Sequence, residues 1–169
     1  MPTDQPLSTL STKLHMPALR ADALRRARLM QRLETGAREG RTLMLVSAPA
    51  GFGKTTLISA WLQQNQRQAA WLSLDQSDND PIRFWRYVIA ALQTIDANYG
   101  ATALAMLTAP QLPPLEAIVT ALINDLAAAA NPIVLVVDDY HAVTDLSIHT
   151  SLDFFLDHLP SHHHFRRAA

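Results

Sequence analysis

Short apolar runs alternate along this chain with longer segments in which apolar and polar positions repeat at helical spacing. The runs are as short as buried strands, whereas the longer segments place apolar side chains three to four residues apart. The predicted strands are 42–47, 69–74 and 133–137. The predicted helices are 21–33, 55–64, 81–95, 115–130 and 146–158. This alternation predicts an α/β fold whose parallel strands are joined by right-handed crossovers.

Outside these elements the pattern predicts three segments without regular structure. Residues 1–12, rich in Ser, Thr and Pro, are expected to be a mobile lead-in, and 161–169 a tail, on either side of a domain over 13–160. The Ala-rich stretch 98–114 contains prolines and is expected to be a connection. Gly36 is expected to end the first helix, since glycine is common just after a helix C-terminus.

Composition narrows the choice of partners and compartment. The 169 residues fit one soluble domain, and 14 basic against 15 acidic side chains leave no strong field to attract nucleic acid or anionic lipid. No apolar run reaches the ~18–20 residues that a membrane span needs, so no membrane partner is expected. The chain has no cysteine, which agrees with the reducing cytoplasm, the predicted location.

A strand, a glycine-containing loop and a helix follow one another around residue 50, the context in which a Walker A reading is credible. Glycines let the loop backbone approach phosphate oxygens, the lysine adds a positive charge, and the first hydroxyl of the helix suits magnesium. Ala48 replaces the first glycine of the general pattern. The predicted ligands of ATP or ADP are Ala48, Pro49, Ala50, Gly51, Phe52, Gly53, Lys54, Thr55 and Thr56.

The strand predicted at 133–137 ends in two acids, as a Walker B strand does. Asp138 is predicted to share a Mg²⁺ ion with Thr55, since both follow the carboxyl ends of strands. Asp139 is predicted to be catalytic, either orienting or deprotonating the attacking water.

Beyond these motifs, the sequence resembles the large ATP-dependent LuxR-type transcription regulators of the STAND class, the group that contains the bacterial maltose-regulon activator. The resemblance lies in the P-loop, where that group usually has alanine at Ala48, and in later motifs. These are Trp71-Leu72-Ser73-Leu74-Asp75, Asp78-Asn79-Asp80, Phe84-Trp85-Arg86-Tyr87 and Leu135-Val136-Val137-Asp138-Asp139-Tyr140-His141. Arg26-Ala27-Arg28-Leu29 is similar to the segment that the group places against adenine, so Arg26 is expected to bind the nucleotide.

The resemblance implies the N-terminal part of a nucleotide switch, a P-loop NTPase with a three-layer sandwich that hydrolyses ATP weakly. It also implies that the fold is incomplete at its C-terminus, because the group's next strand and sensor arginine would follow 160. Since that strand lies between the P-loop and Walker B strands, the sheet is expected to lack its middle, and exposed edges should favour self-association. No specific DNA binding is expected here, because the group reads DNA through a C-terminal helix-turn-helix.

Two other functions stay open on the sequence alone. A small stand-alone P-loop enzyme, such as a kinase, would need an acceptor site and an arginine-rich lid, and the sequence shows no such lid. A fragment that keeps the regulator fold but only binds partners would need neither hydrolysis nor a sensor arginine.

Overall fold

The computed structural model describes residues 9–19, 26–40, 43–49, 51–129, 132–159 and 164–168. Helices and strands alternate over most of this part of the chain. The helices are α1 Ala27–Arg38, α2 Lys54–Gln64, α3 Pro81–Gln93, α4 Ala101–Leu107, α5 Leu115–Ala127 and α6 Leu146–His158. The strands are β1 Leu43–Val46, β2 Ala69–Ser73, β3 Val134–Asp138 and β4 His164–Ala168.

The four described strands form one parallel sheet in the order β1-β4-β3-β2. The strand that comes last in the chain, β4, therefore lies between β1 and β3. Its Arg166 is in register with Met44 of β1 on one side and with Val136 of β3 on the other. The α/β class and the parallel sheet predicted from the sequence are confirmed.

Helices cover both faces of the sheet, because the strands alternate their apolar side chains between two clusters. Trp71 and Val136 pack with α1 and α2 on one face. Leu72 and Val137 pack with α3, α4, α5 and α6 on the other. Each of these four strand side chains is almost fully buried. This burial on both faces explains why β3 reads as an uninterrupted apolar run.

The prediction of a sheet without a middle strand is wrong for this structure. Residues 164–168, which the sequence analysis assigned to a tail, form β4 at the position where the gap was expected. The pattern concealed this strand because His164, Arg166 and Arg167 are polar residues. Parallel pairing on both sides satisfies the backbone of β4 whatever its side chains are.

Two helices also differ from the pattern. The first runs through Gly36 to Arg38 instead of stopping at the glycine, which is buried where α1 packs against Met44 of β1. A side chain at residue 36 would collide with Met44, so close packing explains this glycine better than helix termination. The stretch 98–114, expected to be a connection, contains the short helix α4, which begins after the left-handed Gly100. Residues 21–25 of the first predicted helix lie outside the described residues.

The predicted lead-in is partly described, from residue 9 onward. Ser11–Leu14 forms a 3-10 turn, and the backbone N–H of Leu10 donates to the Tyr87 hydroxyl at 3.1 Å. The Lys13 ammonium pairs with Asp75 at 2.8 Å and with the fully buried Asp78. These contacts hold the turn against β2 and α3.

Among the described residues, none of the helices combines the length and hydrophobicity that a bilayer span requires.

The central position of β4 predicts a strong effect of proline at residue 166. Proline has no N–H to donate to the sheet, so Arg166→Pro leaves a carbonyl of a neighbouring strand unpaired and should destabilise the chain by about 1–3 kcal/mol. Arg166→Ala keeps the backbone donor and is the matched control. Urea unfolding of both variants measures the difference, and equal midpoints would show that β4 is not a central strand.

Candidate nucleotide-binding site

The loop between β1 and α2 takes the shape that a phosphate-binding loop requires. Gly51 and Gly53 have φ of +81° and +75°, a region that glycine adopts without the strain of a side chain. The backbone N–H of Phe52 donates to the Pro49 carbonyl at 3.3 Å, and the carbonyl of Gly53 accepts the Leu57 N–H at 2.9 Å. Leu57 thus makes a regular helical bond, and the N–H groups of the preceding helix residues point toward the loop. A helix start of this kind favours anions.

Lys54, the first residue of α2, folds its side chain over this loop. Its ammonium donates to the Ala48 carbonyl at 2.7 Å and to the Pro49 carbonyl at 3.4 Å. Both acceptors belong to the loop itself, so the positive charge lies where loop and helix start would hold a phosphate group. The lysine can serve there as a point charge with three donors.

One hydrogen bond joins the two predicted motifs. The Thr55 hydroxyl donates to Oδ2 of Asp138 at 2.7 Å, although the two residues are 83 positions apart in the chain. Thr55 is the second residue of α2, which follows β1, and Asp138 ends β3, so both lie at the carboxyl edge of the sheet. Parallel α/β sheets bind ligands at this edge.

The Asp138 carboxyl group is buried, with 4% of the residue exposed. This burial is the main cause that raises the pKa of Asp138; the hydrogen bond from Thr55 acts in the opposite direction, and the neighbouring Asp139 carboxylate adds to the rise. The other oxygen, Oδ1, accepts the backbone N–H of Asp139 at 3.0 Å. A nearby cation would stabilise the charged form of this buried carboxylate.

Asp139 lies directly beside this buried acid but faces solvent. Its side chain is 54% exposed, and its backbone adopts φ +56°, a left-handed conformation uncommon for residues other than glycine. Its Oδ1 lies 3.9 Å from Nδ1 of the exposed His141. The carboxylate is therefore accessible to water at the edge where Thr55 and Asp138 meet.

A cavity of about 870 Å³ adjoins the loop, bounded by α1, β1 and the start of α2. A volume of this size is in the range of small-molecule sites. Its lining includes Arg26, Arg28 and Arg32 as well as Lys54, a set of positive charges that suits a polyphosphate. Arg26 immediately precedes α1, and its guanidinium is 4.0 Å from the point where a Cβ of Gly53 would lie.

The structure thus brings the predicted P-loop, Thr55, Asp138, Asp139 and Arg26 to one edge of the sheet. Ala50 lies outside the described residues. Pattern reading missed the role of Asn79, whose side chain fixes the turn after Asp139, because its partners Thr144 and Asp145 are 65 and 66 positions away. From the sequence, Asn79 is singled out only as part of the motif Asp78-Asn79-Asp80.

Comparison with known proteins identifies the family of this chain. The model of the AAA ATPase domain family matches residues 23–166, and the chain belongs to that family. It is 40% identical over 153 residues to the HTH-type transcriptional regulator MalT of Cronobacter sakazakii, covering 90% of this chain and 17% of that protein. It is 39% identical over 151 residues to MalT of Klebsiella pneumoniae, covering 89% of this chain and 16% of that protein.

The resemblance to large regulators of this type is therefore confirmed. The chain spans about a sixth of the length of these curated relatives, as the covered shares of 17% and 16% show. The relatives are named as HTH-type transcriptional regulators, and this name describes those whole proteins. The matched family itself supports use of ATP, with Mg²⁺ as its usual companion.

Burial of Asp138 generates a prediction about stability. Because its pKa is raised above the ordinary 3.8, the folded chain binds the proton more tightly than the unfolded chain. Stability is therefore lost as pH rises from about 3.8 through the folded pKa, and it stays lower at neutral pH. Asp138→Asn removes this cost and can keep both hydrogen bonds, so it should unfold at a higher temperature than the parent at neutral pH.

Thermal unfolding without added metal or nucleotide measures this effect. The gain should shrink as the pH approaches about 4, where the parent carboxyl group also becomes neutral. Asp153→Asn, at an exposed position of α6, is the matched control and should change little. A lower unfolding temperature for Asp138→Asn at neutral pH would show that the buried charge is already compensated.

Proposed function

We propose that this chain is the ATP-binding and slowly hydrolysing nucleotide switch of a LuxR-type transcription regulator. Its fold would be the three-layer sandwich of P-loop NTPases, with nucleotide at the carboxyl edge of the sheet. The hydrogen bond between Thr55 and Asp138 carries this proposal, since it joins a phosphate-loop helix to an acid-ended strand across the sheet. A glycine-rich turn with a solvated lysine would not require that contact.

Magnesium fits the residues that meet at this edge. Mg²⁺ prefers oxygen ligands and is usually bound through one or two carboxylates, together with the phosphates of its substrate. Thr55 and Asp138 would hold it, and its charge would relieve the cost of burying the Asp138 carboxylate. When bound, the ion neutralises negative charge that develops on the phosphates.

Each remaining residue of the site has a proposed role in binding or hydrolysis. The loop from Ala48 to Thr56 would surround the β- and γ-phosphates, with Lys54 as the point charge. Arg26, beside the cavity, would contact the rest of the nucleotide. Asp139 would orient or deprotonate the attacking water, and the solvent around its exposed side chain is consistent with slow turnover.

The regulatory role comes from the similarity to MalT. In this proposal, exchange of ADP for ATP changes the state of the domain, which acts in the cytoplasm as part of a longer regulator. The described residues 9–19, 26–40, 43–49, 51–129, 132–159 and 164–168 form the α/β unit, and specific contact with DNA would be made elsewhere in that regulator. A kinase-like enzyme is less well supported, because the relatives are named as transcriptional regulators.

Substitution of Lys54 tests nucleotide binding directly. Lys54→Ala should weaken ATP and ADP binding about 10- to 100-fold, because hydrogen bonds to charged groups contribute ~1.5–3 kcal/mol. Arg38→Ala removes one positive charge from an exposed side chain of α1 and is the matched control. Calorimetric titration with nucleotide and Mg²⁺ measures both affinities.

The result separates the proposed function from its rivals. Unchanged affinity in Lys54→Ala would remove the P-loop from the account. Lys54-dependent binding without any ATP turnover would favour a partner-binding domain over a hydrolysing switch. Transfer of phosphate from ATP to a small acceptor would favour the stand-alone enzyme.

A further inference from the structure

The turn that carries the proposed catalytic acid is held in an uncommon conformation. This turn, residues 139–145, is called the acid turn below. It begins with the left-handed Asp139, whose carbonyl accepts the Ala142 N–H at 3.0 Å; the Tyr140 carbonyl accepts the Val143 N–H at 3.0 Å. A left-handed backbone at a residue other than glycine is strained and persists only when the surroundings enforce it.

One anchor of the acid turn is the side chain of Tyr140. This residue is 1% exposed, its ring packs edge-on against Phe84 at 6.5 Å, and its hydroxyl shares a 2.6 Å hydrogen bond with Nδ1 of His149. His149 belongs to α6, the helix that follows the turn. This anchor fixes the start of the turn against α3 and α6.

The other anchor comes from the loop that follows β2. The carbonyl oxygen of the Asn79 side chain accepts two backbone N–H groups, from Thr144 at 2.9 Å and from Asp145 at 2.8 Å. The amide nitrogen of the same side chain donates to the Thr144 hydroxyl at 2.8 Å. Three hydrogen bonds from one residue therefore fix the end of the acid turn, directly before the Asp145 cap of α6.

Asn79 is itself rigidly placed. It follows the turn Gln76–Asp78, in which the buried Asp78 accepts the Asp75 backbone N–H at 2.9 Å. Asp78 also pairs with Arg83 at 3.1 Å and with Lys13. Breaking a buried ion pair is costly, so this cluster resists movement. Because Asn79 directly follows Asp78, its backbone is held in place as well.

We propose that Asn79 is a positioning residue for Asp139, acting from the loop after β2 through the backbone of the acid turn. The acid turn can maintain the left-handed backbone of Asp139, and with it the direction of its carboxylate, only while both its ends are fixed, and Asn79 provides the second fixed end. The effect on hydrolysis rests on the proposed function. The effect on the turn's conformation does not, and it is measurable without nucleotide.

Amide hydrogen exchange of the full chain, followed by NMR without nucleotide, tests the conformational part. Asn79→Ala should speed exchange at the Ala142 and Val143 amides at least about tenfold, because the turn loses its hydrogen bonds to residue 79. Asn79→Asp keeps an oxygen that accepts both backbone N–H groups and should stay within about threefold of the parent. Asn98→Ala removes an exposed asparagine whose side chain donates to Asp96 within its own turn, and serves as the matched control.

Turnover separates positioning from a general structural role. Asn79→Ala should lower the ATP turnover rate at saturating ATP about tenfold while the Kd for Mg²⁺-ATP changes less than about threefold, and Asn79→Asp should restore the rate. If Asn79→Ala exposes α3 amides as much as the acid turn, the chain has unfolded and the milder Asn79→Ser variant decides by the same criteria.

Three results would overturn the inference. They are unchanged exchange at Ala142 and Val143, equal loss of protection in α3 and the acid turn for Asn79→Ser, or an Asn79→Asp variant that behaves as Asn79→Ala does. A chain that binds no nucleotide would contradict the proposed function instead. The exchange result would still decide whether Asn79 holds the turn.

Discussion

The pairing of β4 with both β1 and β3 is the constraint on which the rest of this structure depends. Neighbouring strands lie ~4.8 Å apart, so one intervening strand separates β1 and β3 by about 10 Å. This spacing lets α2, which begins after β1, bring Thr55 within 2.7 Å of Asp138 at the end of β3. Without β4 neither strand has a described partner on that side, and the sheet no longer sets the distance between the proposed phosphate-binding loop and the two acids.

Electrostatic cost is concentrated at the proposed site. Burial disfavours the charged form of Asp138 and so raises its pKa, and the negative charge of Asp139 adds to this rise. Asp139 also has an uncommon left-handed backbone. Elsewhere the buried Asp78 has both Lys13 and Arg83 as partners, so its charge is compensated within the fold. The contrast fits a structural role for Asp78 and a ligand-dependent role for Asp138, because perturbed acids at sheet edges are typical of functional sites.

Pattern reading from the sequence succeeded where local chemistry determines structure. The strand, loop and helix around Lys54 follow from an apolar run, two glycines and helical spacing, and the match to the AAA ATPase family agrees. It failed at β4, because a central strand with polar residues is identified by its two partners and not by its own pattern. It also failed at Gly36, where packing against Met44 outweighs helix termination.

The proposed site could be predicted only in its local parts. Motif spacing singled out Thr55, Asp138 and Asp139, but the bond between Thr55 and Asp138 depends on strand order. The contacts of Asn79 with residues 144 and 145 likewise depend on how the loops after β2 and β3 meet. Such contacts join distant parts of the chain, so no local pattern records them.

The Mg²⁺ dependence of nucleotide affinity tests the central claim most directly, since that claim assigns one metal position to Thr55 and Asp138 together. The quantity is the ratio of the ATP dissociation constants without and with Mg²⁺, compared between the parent, Thr55→Val, Asp138→Asn and the double variant. The account predicts that each single substitution lowers this ratio toward one and that the double variant lowers it no further. A ratio that either single variant leaves unchanged, or independent effects that add in the double variant, would contradict it.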